Sequence, residues 1–439
     1  MPKLIIPNAH ELYKPEGKQF SQEDGVARQF YNSRFLWLLD PGDVIVLPEL
    51  PAKGFMNYLA DLKQIDLQSV TIVTWNKPLE AEFSDVLVDE DLVKRLKSAM
   101  APDKSWSIQT CYFNQAVSNL ADRLNIPLDA KWRRLIKNDF VRQLNSKVEF
   151  RRIAASYNLP IAKGNVCTSA EMLAQAIESL IILTGQAIVK QDHNGGGRGN
   201  IGITVAKSSE FAGVIDTVVM DSNKSAVDVA NQIWQQNIDD LNNQLIVEAY
   251  YPNTGTFTTM LWIPPAGNAP ILLNYSEIRM ETIWVGVQIP AVTLRQNEVD
   301  ELKSASMKFA TILQDLGYYG YACCDAIRTI SDGMLFTEIN VRPGAETHAQ
   351  VLASQLFGLD YAKQATILTR RGLTIPASFE QTKKLLEEND LLLTHKRSSG
   401  VALLTVEDKY SKQVESFVAA PDTDSAYALE RRLLSLLSE

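Results

Sequence analysis

Tyr321-Ala-Cys-Cys-Asp325-Ala-Ile-Arg-Thr-Ile-Ser331-Asp-Gly-Met334-Leu-Phe-Thr-Glu338-Ile-Asn340-Val-Arg342 reads as two strands joined by a tight turn. Asp332-Gly333 is the preferred dipeptide for a two-residue type I′ turn, which makes Ser331 face Met334. Counting outward on that register sets Asp325 opposite Asn340. Directly opposed side chains share a sheet face and lie about 5 Å apart at Cβ. Glu338 and Arg342 flank Asn340 at steps of two, so they fall on that same face. Two carboxylates, an amide oxygen and a guanidinium are therefore expected on one patch. Hard oxygens in that number suit Mg²⁺, which takes a few protein oxygens and completes its octahedron with phosphate and water. The competing reading is the solvated face of an antiparallel sheet, where polar and apolar residues alternate anyway.

Upstream, an apolar strand ends at Lys190 and is followed by Asn194-Gly195-Gly196-Gly197-Arg198-Gly199. Glycines let backbone N–H groups approach phosphate oxygens closely, and a lysine adds a point charge. No G-K-[S/T] closes the loop into a helix, so this is not a Walker A sequence. The pattern is strand, tight loop, strand, and a plain hairpin tip is the alternative. A helix is expected after Ser146, carrying Lys147, and closing at Asn158-Leu159-Pro160. Thr168 and Glu171 fit a capping box for the next helix.

Together these pieces resemble the ATP-grasp superfamily over roughly residues 147–371. The most specific part is Glu338-Ile-Asn340-Val-Arg342, similar to that family's metal-binding E-x-N signature with an arginine two residues on. The resemblance implies metal ligands at Asp325, Glu338 and Asn340, and nucleotide lysines at Lys147 and Lys190. It also implies a phosphate lid at Gly195, Gly196, Gly197, Arg198 and Gly199. Glu248, Ala249 and Tyr251, in Val247-Glu-Ala-Tyr-Tyr251, resemble the strand that reads adenine. Arg342 and Arg279 fall where relatives place basic groups against the transferred phosphoryl. One departure is Asn253-Thr-Gly-Thr256, where many relatives carry an acid for the ribose. The N-terminal part is similar to the preceding domain of pheganomycin-type peptide ligases.

The resemblance implies ATP and Mg²⁺ (or Mn²⁺) as cofactors, and small-molecule or peptide carboxylates and amines as substrates. The expected reaction activates a carboxylate as an acyl phosphate for amide or peptide bond formation. Bicarbonate activation of the biotin-carboxylase kind and a catalytically silent nucleotide-binding scaffold are the rivals. Against the first, the chain has no Ala-Met-Lys-Met carrier motif; against the second, all three ligand types are retained.

The expected fold class is α/β: an N-terminal doubly wound parallel sheet followed by a two-lobed ligase part. Short apolar runs at residues 4–6, 43–47, 70–73 and 85–88 read as strands. Helical patterns follow at 55–62, 90–99 and 114–124. Expected boundaries are 1–140, 141–252, 253–372 and a C-terminal α/β appendage at 373–439. Two helical stretches are expected between 206 and 243, and helices from 347 to 371.

The 439 residues exceed what one core usually serves. A net charge of −9 argues against nucleic acid as main partner, because phosphate binding needs a cationic face. The four cysteines show neither metal spacing nor a disulfide framework, which fits a reducing compartment. No apolar run reaches the length of a membrane span, so cytoplasmic localisation is expected. Oligomeric state is left open, a homodimer being one option.

Overall fold

A computed structural model describes all residues except 10–30, 79–80, 194–198, 207–210, 215, 222–223, 239–242, 282–283, 331–332, 407–411 and 439. Strands β1 (Lys3–Ile6), β2 (Val44–Leu47), β3 (Thr71–Thr74) and β4 (Ser107–Thr110) form a parallel sheet in the order β3-β2-β1-β4. The two central strands are apolar and buried along almost their whole length, as expected for a sheet covered on both faces. Residues 85–88 are not a strand: Phe83–Leu87 is a short helix that buries Phe83, Val86 and Leu87. A four-residue apolar run does not distinguish the two states by periodicity, and burial decided it.

The second sheet comprises β5 (Gly164–Cys167), β6 (Gln186–Gln191), β7 (Ile201–Thr204), β8 (Asp216–Val219) and β9 (Leu245–Ala249), ordered β5-β9-β6-β7-β8. Helices Ala170–Thr184 and Ala226–Asn237 bury Leu173, Ile177, Val229 and Ile233 against it. The first helix is capped by Ser169, which accepts from the Met172 amide, and not by Thr168. Between β7 and β9 the described chain forms one strand and one helix where two helices were expected. Gly164 is required by close packing, since a Cβ there would stand 2.3 Å from the Val247 carbonyl oxygen.

The large sheet contains β10 (Asn253–Ile263), β11 (Ile271–Met280), β12 (Trp284–Ile289), β13 (Gly320–Thr329), β14 (Met334–Asn340), β15 (Thr366–Thr374), β16 (Gly400–Leu403) and β17 (Gln413–Ala420). Their order is β14-β13-β10-β11-β12-β15-β17-β16. Two expectations are corrected here. Helix Thr347–Phe357 does not continue to 371, because β15 begins at Thr366. Residues 373–439 are not an appendage: β17 pairs with β15, so these residues complete one edge of the sheet.

The two faces of this sheet differ. Helices Gln296–Leu316 and Thr423–Ser438 cover one, with Thr259 bonded to Ser306 at 2.8 Å and Tyr427 to Gln288 at 2.9 Å. Helix Thr347–Phe357 covers the other, where Asn274 Nδ2 donates to Gln350 Oε1 at 2.5 Å. The N-terminal part shares cores with this lobe. Trp132 packs edgewise on Tyr318, and Phe55 on Phe379. No helix among the described residues is long and apolar enough to cross a membrane.

Candidate active site

The hairpin does form, but on another register. Arg328 pairs with Met334, Ile327 with Leu335 and Ala326 with Phe336. The register then shifts by one, so that Asp325 pairs with Glu338 and Cys323 with Asn340. Asp325 therefore faces Glu338 and not Asn340. Residues 331–332 of the expected turn lie outside the described residues; the Thr329 amide donates to Gly333 O at 2.9 Å. The shift is a β-bulge at Thr337, whose hydroxyl donates to Asp325 O at 3.2 Å. Met334, Phe336, Ile339 and Val341 all enter one core cluster, and the step of three between Phe336 and Ile339 marks the extra residue. Without it, Glu338 and Asn340 would point into that core. With it they join Asp325 on the opposite face.

On that face Asn340 Nδ2 lies 3.4 Å from both Asp325 Oδ2 and Glu338 Oε1. Arg342 Nη2 donates to Asn340 Oδ1 at 3.0 Å, and Nη1 to Pro343 O at 3.1 Å. Lys147 Nζ reaches Glu338 Oε2 at 3.2 Å. Burial and the adjacent Glu338 push Asp325 well above the usual carboxylate range. Burial raises Glu338 too, but Lys147, a hydrogen bond with Asp325, and Lys190 outweigh it and hold it at about 2. Two half-buried acids this close resist carrying two charges together, and a divalent cation between them removes that conflict. The donor set of two carboxylates and one amide oxygen fits Mg²⁺. Among the described residues no group of three His, Cys, Asp or Glu gathers for a metal, so phosphate and water would complete the shell.

The second lysine sits on β6. Lys190 Nζ is 2.6 Å from Glu248 Oε2, and Arg151 Nη1 is 2.5 Å from Glu248 Oε1. Burial pushes Glu248 up, but the two cations outweigh it and leave it below its ordinary range. Glu248 is thus the buried counter-ion that holds Lys190. The Ala249 amide already donates to Lys163 O at 2.8 Å, so an adenine at this strand would rely on the Ala249 carbonyl and on the backbone near Tyr251. Of the expected lid, Gly195, Gly196, Gly197 and Arg198 lie outside the described residues. Gly199 follows them at φ +78°, in the left-handed region glycine tolerates.

Arg279 does not join this cluster. Thr258 pairs with both Asp325 and Ser276, so Ser276 shares the face of the acids and Arg279, at an odd step, takes the other. There its guanidinium grips Glu430 through two bonds of 2.8 and 2.5 Å and donates to Thr369 O at 2.9 Å. Its assignment to the site is corrected to an anchor for helix Thr423–Ser438.

Two positioning residues escaped sequence reasoning. Asp192 accepts from Ser146 Oγ at 2.7 Å and from the Val148 amide at 3.0 Å, tying the end of β6 to the helix start that carries Lys147. Asn145 accepts from the Val341 amide at 2.9 Å, fixing the chain just past Asn340. The only signal was position, since both flank a lysine already singled out.

Lys147 and Lys190 thus gather beside the acidic, bulged hairpin that carries Asp325, Glu338 and Asn340. Residues 32–126 match the family model of the Pre ATP-grasp domain, and over its whole length the chain shares the fold of two kinds of solved enzyme structure. Biotin carboxylase from Campylobacter jejuni, solved with an ATP analogue, is 15% identical, with a TM-score of 0.59 over 99% of this chain and 95% of that one. The N5-carboxyaminoimidazole ribonucleotide synthetase of Thermus thermophilus is 13% identical, with a TM-score of 0.57 over 100% and 99%. An Aspergillus clavatus N5-carboxyaminoimidazole synthase, solved with ADP and 5-aminoimidazole ribonucleotide, is 12% identical, with a TM-score of 0.57 over 100% and 98%. No curated protein sequence matches the chain.

Proposed function

We propose that this chain is an ATP- and Mg²⁺-dependent ligase that activates a carboxylate as an acyl phosphate and joins it to an amine. The observation that carries the reading is the pairing of Asp325 with Glu338, beside Asn340 and facing Lys147. Asp325, Glu338 and Asn340 would hold Mg²⁺, which offsets charge on the nucleotide phosphates when bound. Lys147 and Lys190 neutralise phosphate oxygens, and Arg342 faces the transferred group. The substrate carboxylate oxygen attacks the γ-phosphorus and ADP leaves. The amine then attacks the acyl carbon, phosphate leaves with the bonding pair, and the ammonium proton passes to solvent or a nearby base. Closure of the small lobe would keep water from the acyl phosphate.

A second reading takes bicarbonate as the acid. It is favoured by Arg342 together with Glu346, a buried carboxyl that accepts from the Cys323 thiol at 3.5 Å. ADP release measured with pooled acids and amines, and separately with bicarbonate, tests both. Turnover that needs an acid and an amine together supports the ligase. Turnover with bicarbonate supports carboxylation, and nucleotide binding without ADP release under any condition overturns both.

A further inference from the structure

Other arginines on or against the large sheet are already paired. Arg279 is held by Glu430, Arg370 by Glu281 at 2.6 Å, and Arg34 by Glu415 through two bonds. Arg371 is different. Its guanidinium lies over the Trp284 ring at 5.2 Å, and Nη2 donates to Tyr31 OH at 3.4 Å. Among the described residues no carboxylate lies within ion-pair distance of it. Tyr31 in turn stacks under Arg34 at 4.7 Å. A partly exposed guanidinium held over one ring and tied to a tyrosine hydroxyl, with no carboxylate beside it among the described residues, is a preorganised anion reader.

Its location gives it a purpose. The contact with Tyr31 puts Arg371 on the face of the sheet that carries Asp325, since Arg34 beside Tyr31 meets Glu415, and Glu415 meets His348 of the helix on that face. Asp325 pairs with Thr258 and Thr258 with Ser276; the next residues along, Glu277 and Gln288, pair across β11 and β12, which brings Ile289 and its partner Ile367 to the same face as Ser276. Arg371 lies further along β15, where the register slips between Arg370 and Leu373. Strand spacing and rise put Asp325 and Arg371 on the order of 20 Å apart at Cα. Arg371 leans over Trp284 of β12, the strand next to β15 on the Asp325 side, so the gap between the two heads is roughly 15 Å, the reach of about four extended residues.

We infer that Arg371, braced by Trp284 and Tyr31, binds a carboxylate at the far end of an elongated substrate whose near end reacts beside Asp325 and Glu338. The inference rests on the ligase reading and names its substrate class: a peptide-like molecule rather than a single small acid or amine. Either partner could bring the distal carboxylate, the acyl donor as a second acid group or the acceptor as its own C-terminus.

The test is calorimetric binding, in the presence of Mg²⁺ and ADP, of a panel of tripeptides, each paired with its C-terminal amide. At least one free acid is expected to bind the wild type ten-fold or more tightly than its amide. That preference should disappear in Arg371→Ala and persist in part in Arg371→Lys, with melting temperatures confirming that both variants are folded. A panel in which no acid outbinds its amide overturns the inference, as does a preference that survives in Arg371→Ala. ADP release is scored separately, so discrimination by Arg371 without turnover would sink the ligase reading and leave the subsite standing. Where product forms, its mass tells whether the anchored peptide became the acyl part or the amine part.

Discussion

Lys147 Nζ stands 3.2 Å from Glu338 Oε2, so the first residue of a helix is tied to the strand that carries the candidate metal ligands. The pair marks where a triphosphate and its cation would meet. Glu338→Gln keeps the side-chain shape but removes one of the two half-buried acids. ADP release is expected to fall by at least about 100-fold, in line with loss of a preorganised charge at a reacting centre. Relief of the crowding with Asp325 and loss of the Lys147 pair oppose each other, so thermal melts should show a folded variant with a melting temperature close to wild type. Near-normal turnover would remove Glu338 from the site.

Lys190 is expected to act on binding and on stability together. Lys190→Ala leaves Glu248 buried with Arg151 as its remaining cation. Breaking a buried pair costs about 3 kcal/mol, taken at the low end of the usual range because Arg151 remains. Urea titration should show that loss, and the KM for ATP should rise several-fold. An unchanged KM would reduce Lys190 to a structural role.

The sequence made the chemistry of the hairpin legible, but not its register. Asp332-Gly333 pointed to a two-residue turn, yet Thr329 bonds back to Gly333 O and the strands pair from Arg328 and Met334. A better guide was the apolar spacing Met334, Phe336, Ile339, Val341, which breaks period two where the bulge sits. Arg279 was misplaced because strand parity depends on the partner strand, and no local pattern reveals that Ser276 rather than Glu277 stands beside Thr258. Asp192 and Asn145 act through backbone atoms brought close only by the fold, so no spacing in the chain announces them.

The bulge can be tested directly. Deleting Thr337 restores an uninterrupted register and turns Glu338 and Asn340 toward Phe309 and the rest of that core. Burying a carboxylate there is expected to abolish ADP release and to lower stability by several kcal/mol. Thr337→Ser keeps the extra residue and its hydroxyl, and should retain most activity. Thermal melts and steady-state rates on the two variants separate the outcomes, and an active deletion variant would contradict the bulge.

Arg279 should behave as an anchor. It and Glu430 are both largely buried, so Arg279→Ala leaves a carboxylate without its partner and is expected to cost about 3 kcal/mol of stability. Because Arg279 faces away from Asp325, the KM for ATP in the folded variant should stay within about two-fold of wild type, an interval well inside the tenfold that 1.4 kcal/mol would produce. Glu430→Gln should shift the melt in the same direction by less, since the amide still accepts one bond. A large change in nucleotide affinity without a change in stability would return Arg279 to the site.

Glu415 sets the acid limit of the junction between the N-terminal part and the large lobe. Burial alone would raise its carboxyl, but Arg34 and His348 outweigh that and hold it at about 2. A carboxylate in the unfolded chain titrates near 4.3, roughly two units higher. A folded value below the unfolded one means that this stabilisation is complete above about pH 5 and is lost as pH falls toward about 2. The shift corresponds to about 3 kcal/mol between those limits. Glu415→Gln should therefore be less stable than wild type at pH 7 and should lose less on acidification, so that the two stability curves converge near pH 2. Urea midpoints measured from pH 7 to pH 2 check this, and parallel curves across that range would exclude the Arg34–Glu415 pair as the acid-sensitive contact.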